Sequence, residues 1–375
     1  AATASPQAAS TFDGTGEILV EQASSECAPV LMESQGDVIM LFTDNGVENR
    51  KAEDASVLMY SVYDDAAGTW GTPSPVWEDG TADFKPVVAG DYVAWNNSKG
   101  TLAGCETYVN LGEAQEVAVA KYNSATKSFE EAKNITDNDV FENNVSIQNT
   151  SDGPVLAWVV NSAGNVFGVE GSNDIYMAAS GDWAAEKVAV VDGVVLKVQP
   201  GYYNGNASCV YVVDENDNLI DSAGQVAYVV DMDSKEAIKV SDMDVTYAWI
   251  TETAEQIMYV GMDGQIYSCK NNGEDGTNGS EPELGEDIID GVVDVMGTSD
   301  EEQDGLLLGS VTDVLEDENG NITVFYVVNE DNCSNAYRIF YDAMSDKWSE
   351  PVAVTEQTDY VEQMSGIYIE DTLIY

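Results

Sequence analysis

Histidine is missing from all 375 residues, and only 14 basic residues stand against 68 acidic ones, a formal charge of −54. The first absence removes Ser-His-Asp and Cys-His nucleophile systems, histidine general bases and His-ligated zinc. The second works against nucleic acid and anionic membrane as partners, because such binding draws its affinity from Lys and Arg that neutralise phosphates. An acid excess of this size reads first as a solvated, aggregation-resistant surface. A salt-adapted source fits it less well, since Lys outnumbers Arg. The five cysteines, Cys27, Cys105, Cys209, Cys269 and Cys333, are too scattered for a CxxC zinc or redox motif. An odd, dispersed set reads as small buried hydrophobes. No apolar run approaches the ~18 residues of a membrane-crossing helix, and the densest stretches, such as Leu306-Leu307-Leu308, are strand-length. Helical periodicity with caps is absent as well; EEAKN and AAEKVAV are short and sit inside a strand pattern.

What is present is repetition. A short apolar strand, a polar turn and a second apolar strand recur seven times, the second strands ending at Phe42, Trp95, Trp158, Val212, Val260, Phe325 and Tyr375. A strand-rich repeat of ~40–50 residues is the mark of β-propeller blades. Between these hairpins recurs a second phrase: LMYSVYDDAAGTWGTPSPV at 58–76, VAKYNSATKSFEEAKNI at 119–135, IYMAASGDWAAEKVAV at 175–190, VAYVVDMDSKEAIKV at 226–240 and RIFYDAMSDKWSEPVAV at 338–354. Each reads as strand, Asp/Asn/Ser/Gly turn, strand. Two hairpins per repeat make a four-stranded antiparallel blade, so the expected fold is all-β, a seven-bladed β-propeller formed as a single domain over residues 1–375, with six or eight blades left open by the two longest repeat spacings, 63 and 65 residues. Residues 1–10, AATASPQAAS, read as the remnant of a cleaved leader or as a linker. The chain ends at DTLIY with the outer strands of its seventh hairpin still to come, and TFDGTGEILVEQ at 11–22 copies the outer phrase. The expectation is a last blade closed by N- and C-terminal strands together, which leaves no open sheet edge. The acidic, Gly-rich stretch 271–305 is the longest insertion, with one expected strand over residues 292–296.

On these motifs the chain resembles bacterial extracytoplasmic β-propellers of the WD-repeat, kelch and sialidase-like architecture. Tyr341-Asp342 through Trp348-Ser349 to Pro351-Val352 carries one blade phrase, and Ser61, Asp64, Asp65, Gly68, Thr69 and Trp70 resemble a sialidase Asp-box with disturbed spacing. The resemblance implies turns and architecture. Sialidase chemistry itself is disfavoured, because such sites hold the substrate carboxylate with three arginines and this chain has only Arg50 and Arg338.

The remaining candidate chemistry is weighed against plain structural roles. Carboxylate pairs could serve a glycoside hydrolase or lyase, but among 68 acids pairs at a suitable spacing arise by chance. Asp214, Asn216 and Asn218, and likewise Asp317, Asn319 and Asn321, imitate the first positions of an EF-hand. Leu219 and Ile322 replace the sixth glycine, and Gln225 and Val328 the twelfth glutamate, so both read as hairpin turns. Trp95 and Trp158 read as core, and Trp70, Trp183 and Trp348 as packing between blades; Tyr202, Tyr203 and Trp77 are less tied to the repeat. Asn-x-Ser/Thr triplets, as at Asn134 and Asn321, are expected by chance in an Asn-rich chain. No catalytic, binding or metal residue stands out. The expectation is a secreted or cell-surface bacterial binding module, a monomeric part of a longer protein, recognising a glycan or protein partner without catalysis or a required cofactor, with incidental Ca2+ on its acidic surface. A carboxylate-based glycan-active enzyme and a structural spacer are the alternatives.

Overall fold

The computed structural model describes residues 29–46, 50–216, 224–241, 243–262, 264, 266–269, 286–287, 310–330, 333–355, 361, 364–369 and 372–375. Alternating apolar strands separated by Asp/Gly turns fold into six antiparallel four-stranded blades. Blade 1 comprises Val30–Ser34, Asp37–Asp44, Val57–Asp64 and Thr69–Trp70; blade 2 comprises Asp83–Ala89, Tyr92–Ser98, Gln115–Asn123 and the outer pieces Ser128–Phe129 and Lys133–Asn134. Blade 3 runs through Glu142–Gln148, Val155–Asn161, Asn173–Ala179 and Glu186–Val191, and blade 4 through Val194–Tyr203, Asn206–Asp214, Gln225–Asp231 and Ala237–Lys239. Blade 5 holds Val245–Ile250, Ile257–Gly261, Ile266–Cys269 and Glu286–Asp287, and blade 6 Ser310–Glu316, Ile322–Glu330, Cys333–Asp342 and Lys347–Trp348. Helix is confined to loops, at Ala52–Asp54 and Tyr108–Glu113.

The expectation of seven four-stranded blades is corrected. Among the described residues six are found, and the seventh hairpin forms a two-stranded sheet, Ile367–Ile369 with Thr372–Ile374. A recurring inner hairpin does not by itself imply a whole blade: these last strands are three residues long and carry no outer pair among the described residues. Their segment sits between the first and sixth blades: Leu31 N–H donates to Ser365 Oγ at 3.2 Å, and Gly366 N–H to Asp313 Oδ2 at 3.1 Å. Residues 11–22, the proposed N-terminal half of a composite blade, and the strand expected over 292–296 lie outside the described residues.

The core lies between blades. Each of the five large apolar clusters joins two adjacent sheets, such as Leu41, Leu58 and Tyr60 of blade 1 with Trp95, Ala118 and Tyr122 of blade 2. Trp95 and Trp158 are wholly enclosed, as their strand-ending positions suggested. Within blades 3 to 6, aromatic residues face each other across the second and third strands: Trp158 with Tyr176, Tyr211 with Tyr228, Tyr259 with Tyr267 and Tyr326 with Tyr337, all stacked at 5.2–5.9 Å. Directly opposed aromatic pairs are a strong form of cross-strand stabilisation. Trp183 packs into the blade 2–3 cluster and Trp348 against the blade 5–6 cluster, whereas Trp70 meets Tyr63 of its own blade edge-on.

A buried polar link also ties neighbouring blades. Asp83, at the start of blade 2, accepts hydrogen bonds from the Leu58 N–H of blade 1 at 2.9 Å and from the Trp95 indole N–H at 2.6 Å. Asn96 of blade 2 donates to the Glu142 carbonyl of blade 3 at 2.9 Å. Such links hold the first strands in place, and the first strands line the centre.

Candidate functional site at the mouth of the channel

The first strands of successive blades neighbour one another from blade 1 to blade 6, so they form the wall of a central channel. In blades 2 to 6 that strand bulges at the same place, where two residues face one on the second strand. The bulged pairs are Lys85-Pro86, Asn144-Val145, Leu196-Lys197, Thr246-Tyr247 and Thr312-Asp313. Opposite them stand Trp95, Trp158, Val212, Val260 and Phe325, the residues that mark the repeat in the sequence. A bulge bends its strand and re-aims side chains, and bulges concentrate beside functional sites. Here they set a ring of dissimilar side chains, Lys85, Asn144, Lys197, Tyr247 and Asp313, at one end of the channel wall.

Three of these groups interact across neighbouring strands. Lys197 Nζ lies over the Tyr247 ring, 5.9 Å from its centroid. Lys197 has surface open to water while protein crowds it on most sides, as befits a side chain in a lumen, and this desolvation lowers its amine pKa. Burial, and then the charge of Asp313, raise the Tyr247 hydroxyl pKa above the usual range. Burial also lifts Asp313 to about 6, opposed by hydrogen bonds from Gly366 N–H, Val314 N–H and the Ser365 hydroxyl. Neither Lys85 nor Lys197 enters an ion pair among the described residues, although acids outnumber bases almost fivefold.

The opposite end of the channel is bridged. Ser146 donates to Gln199 Oε1 at 2.9 Å, Gln199 donates to Gln148 Oε1 at 3.3 Å, and Gln148 reaches from blade 3 to the Ile250 carbonyl of blade 5 at 2.8 Å. Blades 4 and 5 approach closely there, since a Cβ on Gly201 would lie 2.7 Å from Ile250. Beyond the bridge, burial and then the Glu316 charge raise Glu252 to about 7. Glu316 in turn accepts from Thr253 N–H at 2.9 Å. The glutamines thus tie one end of the channel wall, and the bulges lie toward the other.

The remaining sequence candidates fall elsewhere. Asp317 accepts from Asn319 N–H and Asn321 N–H at 2.8 and 2.9 Å, so this turn spends its side chain on its own backbone. Asp214 does the same for Asn216 N–H at 2.8 Å, and Asn218 lies outside the described residues. No group of three or more Cys, Asp or Glu side chains is placed to hold a metal ion among the described residues. The two arginines belong to different blades: Arg50 is held by Glu78 at 2.7 Å, and Arg338 pairs with Phe325 in the third strand of blade 6. Tyr202 donates to Asp152 at 3.0 Å, Tyr203 is buried, and Trp77 packs edge-on against Trp95. Cys105, Cys209 and Cys269 form no disulfide among the described residues.

No family model matches the chain, and no curated protein is significantly similar. Among solved structures, the Hadza microbial sialidase Hz136 aligns with a TM-score of 0.51 at 10% identity, over 91% of this chain and 60% of that one. The polysaccharide lyase Uly1 aligns at TM-score 0.47 and 12% identity, over 82% and 75% of the two chains. Trypanosoma rangeli sialidase gives 0.43 at 10%, over 81% and 52%. The likeness is one of fold. The first of these, at TM-score 0.51, supports the propeller fold, and the chain spans about 60% of its length.

Proposed function

We propose that this propeller is a glycan-binding module that receives its ligand at the bulged mouth of the channel and does not turn it over. The observation that carries the reading is the run of bulges that places Lys197, Tyr247 and Asp313 side by side on three adjacent inner strands. Together they offer what a sugar needs: one ammonium donor without an ion pair among the described residues, an aromatic ring and a carboxylate. The sialidase and lyase propellers among its structural neighbours are consistent with glycan recognition but carry no residue roles to this chain. A secreted or cell-surface setting in a bacterium is part of this proposal, and the acidic surface accords with it.

One observation favours catalysis as a second reading: Asp313, lifted to about 6, is poised to hold a proton near neutrality. Carboxylate-based cleavage of a glycoside uses two acids that flank the bond. The other bulge positions supply Lys85, Asn144, Lys197 and Tyr247, none of them a carboxylate, so binding is the better supported reading. The test is a glycan array followed by calorimetric titration of each hit with wild type, Lys197→Gln and Asp313→Asn. Binding that Lys197→Gln weakens tenfold or more, without release of new reducing ends or unsaturated sugars, supports the module. Turnover abolished by Asp313→Asn moves the assignment to an enzyme, and retention of full affinity by both variants removes the channel mouth as the site.

A further inference from the structure

On the same rim as the bulges, the loop joining the second and third strands of blade 3 presents Phe167 with 64% of its surface exposed. The loop backbone that carries this ring is held in place. Phe167 N–H donates to Asn165 Oδ1 at 2.9 Å, Asn165 N–H to Asn161 Oδ1 at 2.9 Å, and Asn173 Nδ2 to the Gly168 carbonyl at 2.9 Å. Gly168 takes φ +71°, a left-handed conformation that glycine adopts without strain, directly after the aromatic. Single exposed hydrophobics are ordinary; this one has company. Of the eight large hydrophobics exposed among the described residues, Tyr108, Val109, Val140 and Phe167 all belong to loops of blades 2 and 3 on this rim. The helix carrying Tyr108 packs directly on Phe141, for a Cβ at Gly112 would come within 2.6 Å of that ring.

Phe141 and Phe167 border one cleft of about 30 Å³, which also touches Asn143 and Val195. That volume admits one or two water-sized groups, such as hydroxyls. None of its eleven lining residues is charged, although 22% of the chain is. Val195 stands two residues before Lys197 on the same strand, so cleft and channel mouth adjoin. A pre-ordered aromatic face beside an uncharged, amide-bordered cleft suits the apolar face of a neutral sugar ring, with one hydroxyl directed into the cleft.

We infer that Phe167 and the cleft beside it form a subsite for a neutral sugar unit outside the channel, so that the ligand is an oligosaccharide extending from Lys197 over the rim of blade 3. The inference rests on the channel-mouth reading for the direction of the chain, and the two fail separately in the following experiment. Disaccharides and hexasaccharides of glucose, mannose and galactose are titrated against the full chain by calorimetry, using wild type, Phe167→Ala, Phe167→Trp and Lys197→Gln, with melting temperatures as the control for folding. Wild type is expected to bind one hexasaccharide tenfold or more tightly than the matching disaccharide. Phe167→Ala should abolish that difference at an unchanged melting temperature, Phe167→Trp should keep it, and Lys197→Gln should weaken both lengths alike. If Phe167→Ala leaves the length preference intact, or if no hexasaccharide binds, the subsite is overturned. If Phe167→Ala weakens binding and Lys197→Gln does not, the subsite stands and the channel mouth falls.

Discussion

Two features recur around this ring, the outer hairpin turns and the inner-strand bulges, and they differ in how much their chemistry varies. At the outer turns it is nearly constant. Asp64, Asn123, Asp231 and Asp342 each accept backbone N–H groups of the following residues through their side chains. Four positions later comes a residue with positive φ: Gly68, Lys127, Lys235 and Asp346. At the bulges the register shift recurs, although only Lys85 and Asn144 there take positive φ, and the side chains differ from blade to blade, among them Lys85, Asn144, Lys197, Tyr247 and Asp313. A repeat needs the same turn everywhere in order to fold; a ligand needs different groups at different angles. Constancy marks the scaffold and variation marks the site.

The largest expected effect probes the link between the two regions. Asp83 anchors a bulged strand by accepting from Leu58 N–H and the Trp95 indole, both in the core. Asp83→Ala leaves two buried donors without an acceptor, at a cost of about 3 kcal/mol or more in chemical denaturation. A loss below about 1 kcal/mol would mean that blades 1 and 2 do not depend on this carboxylate.

Next come substitutions at the bulges, where stability and binding should separate. Lys197→Gln is expected to weaken glycan binding tenfold or more while leaving the melting temperature nearly unchanged, because the ammonium spends no hydrogen bond on the fold. A ligand-bound charge-assisted hydrogen bond is worth about 1.5–3 kcal/mol. A drop in stability equal to the drop in affinity would make Lys197 part of the scaffold.

Sensitivity to rising pH ranks third. Burial is the largest cause holding Asp83 and Glu142 at about 7 and Asp313 at about 6, well above an unfolded carboxyl near 4. The native state therefore binds protons that the unfolded chain releases between about pH 4 and 7. Stability is fullest below that window and is lost as pH rises through it. Lowering the net charge of −54 acts in the same direction. Denaturation at pH 5 should require more urea than at pH 8, and Asp83→Asn should shrink the difference; greater stability at pH 8 would refute this account.

The outer turns were legible in the sequence because their signal is local. Asp or Asn four residues before a tight bend satisfies nearby backbone whatever the rest of the chain does, and DDAAG, NSATK, DMDSK and DAMSD display it. The burial of Trp95 and Trp158 was legible from their place in the repeat. The number of blades was not, since a hairpin such as Ile367–Ile369 with Thr372–Ile374 has the inner pattern whether or not outer strands join it. The bulge residues were also hidden: period-two reading assigns each residue a face, and one inserted residue breaks that parity without any compositional mark. Two hints existed, a proline inside the first strand of blade 2 at Pro86 and a lone lysine at Lys197 in the Val-rich run VVLKVQP. Phe167 lies in a loop with no period at all, and only the fold places it beside the channel.

The smallest expected effects lie in the outer turns themselves, which should tolerate change without touching function. Asp231 accepts from Asp233 N–H and Ser234 N–H at 3.0 and 2.6 Å, so Asp231→Ala should cost about 1 kcal/mol, near the value of a helix-capping side chain that makes similar bonds. Lys235 sits at φ +59° four positions on, where a β-carbon is strained by about 1 kcal/mol. Lys235→Gly relieves that strain but frees the unfolded chain, and it also gives up the exposed pair with Glu186 at 3.4 Å. The net expectation is a gain of about 0.5 kcal/mol with glycan affinity unchanged. Because blade 1 already carries Gly68 at the matching place with φ +68°, the two turns should become equivalent. A loss of stability on Lys235→Gly would show that the turn of blade 4 is held by its side chain rather than by its backbone.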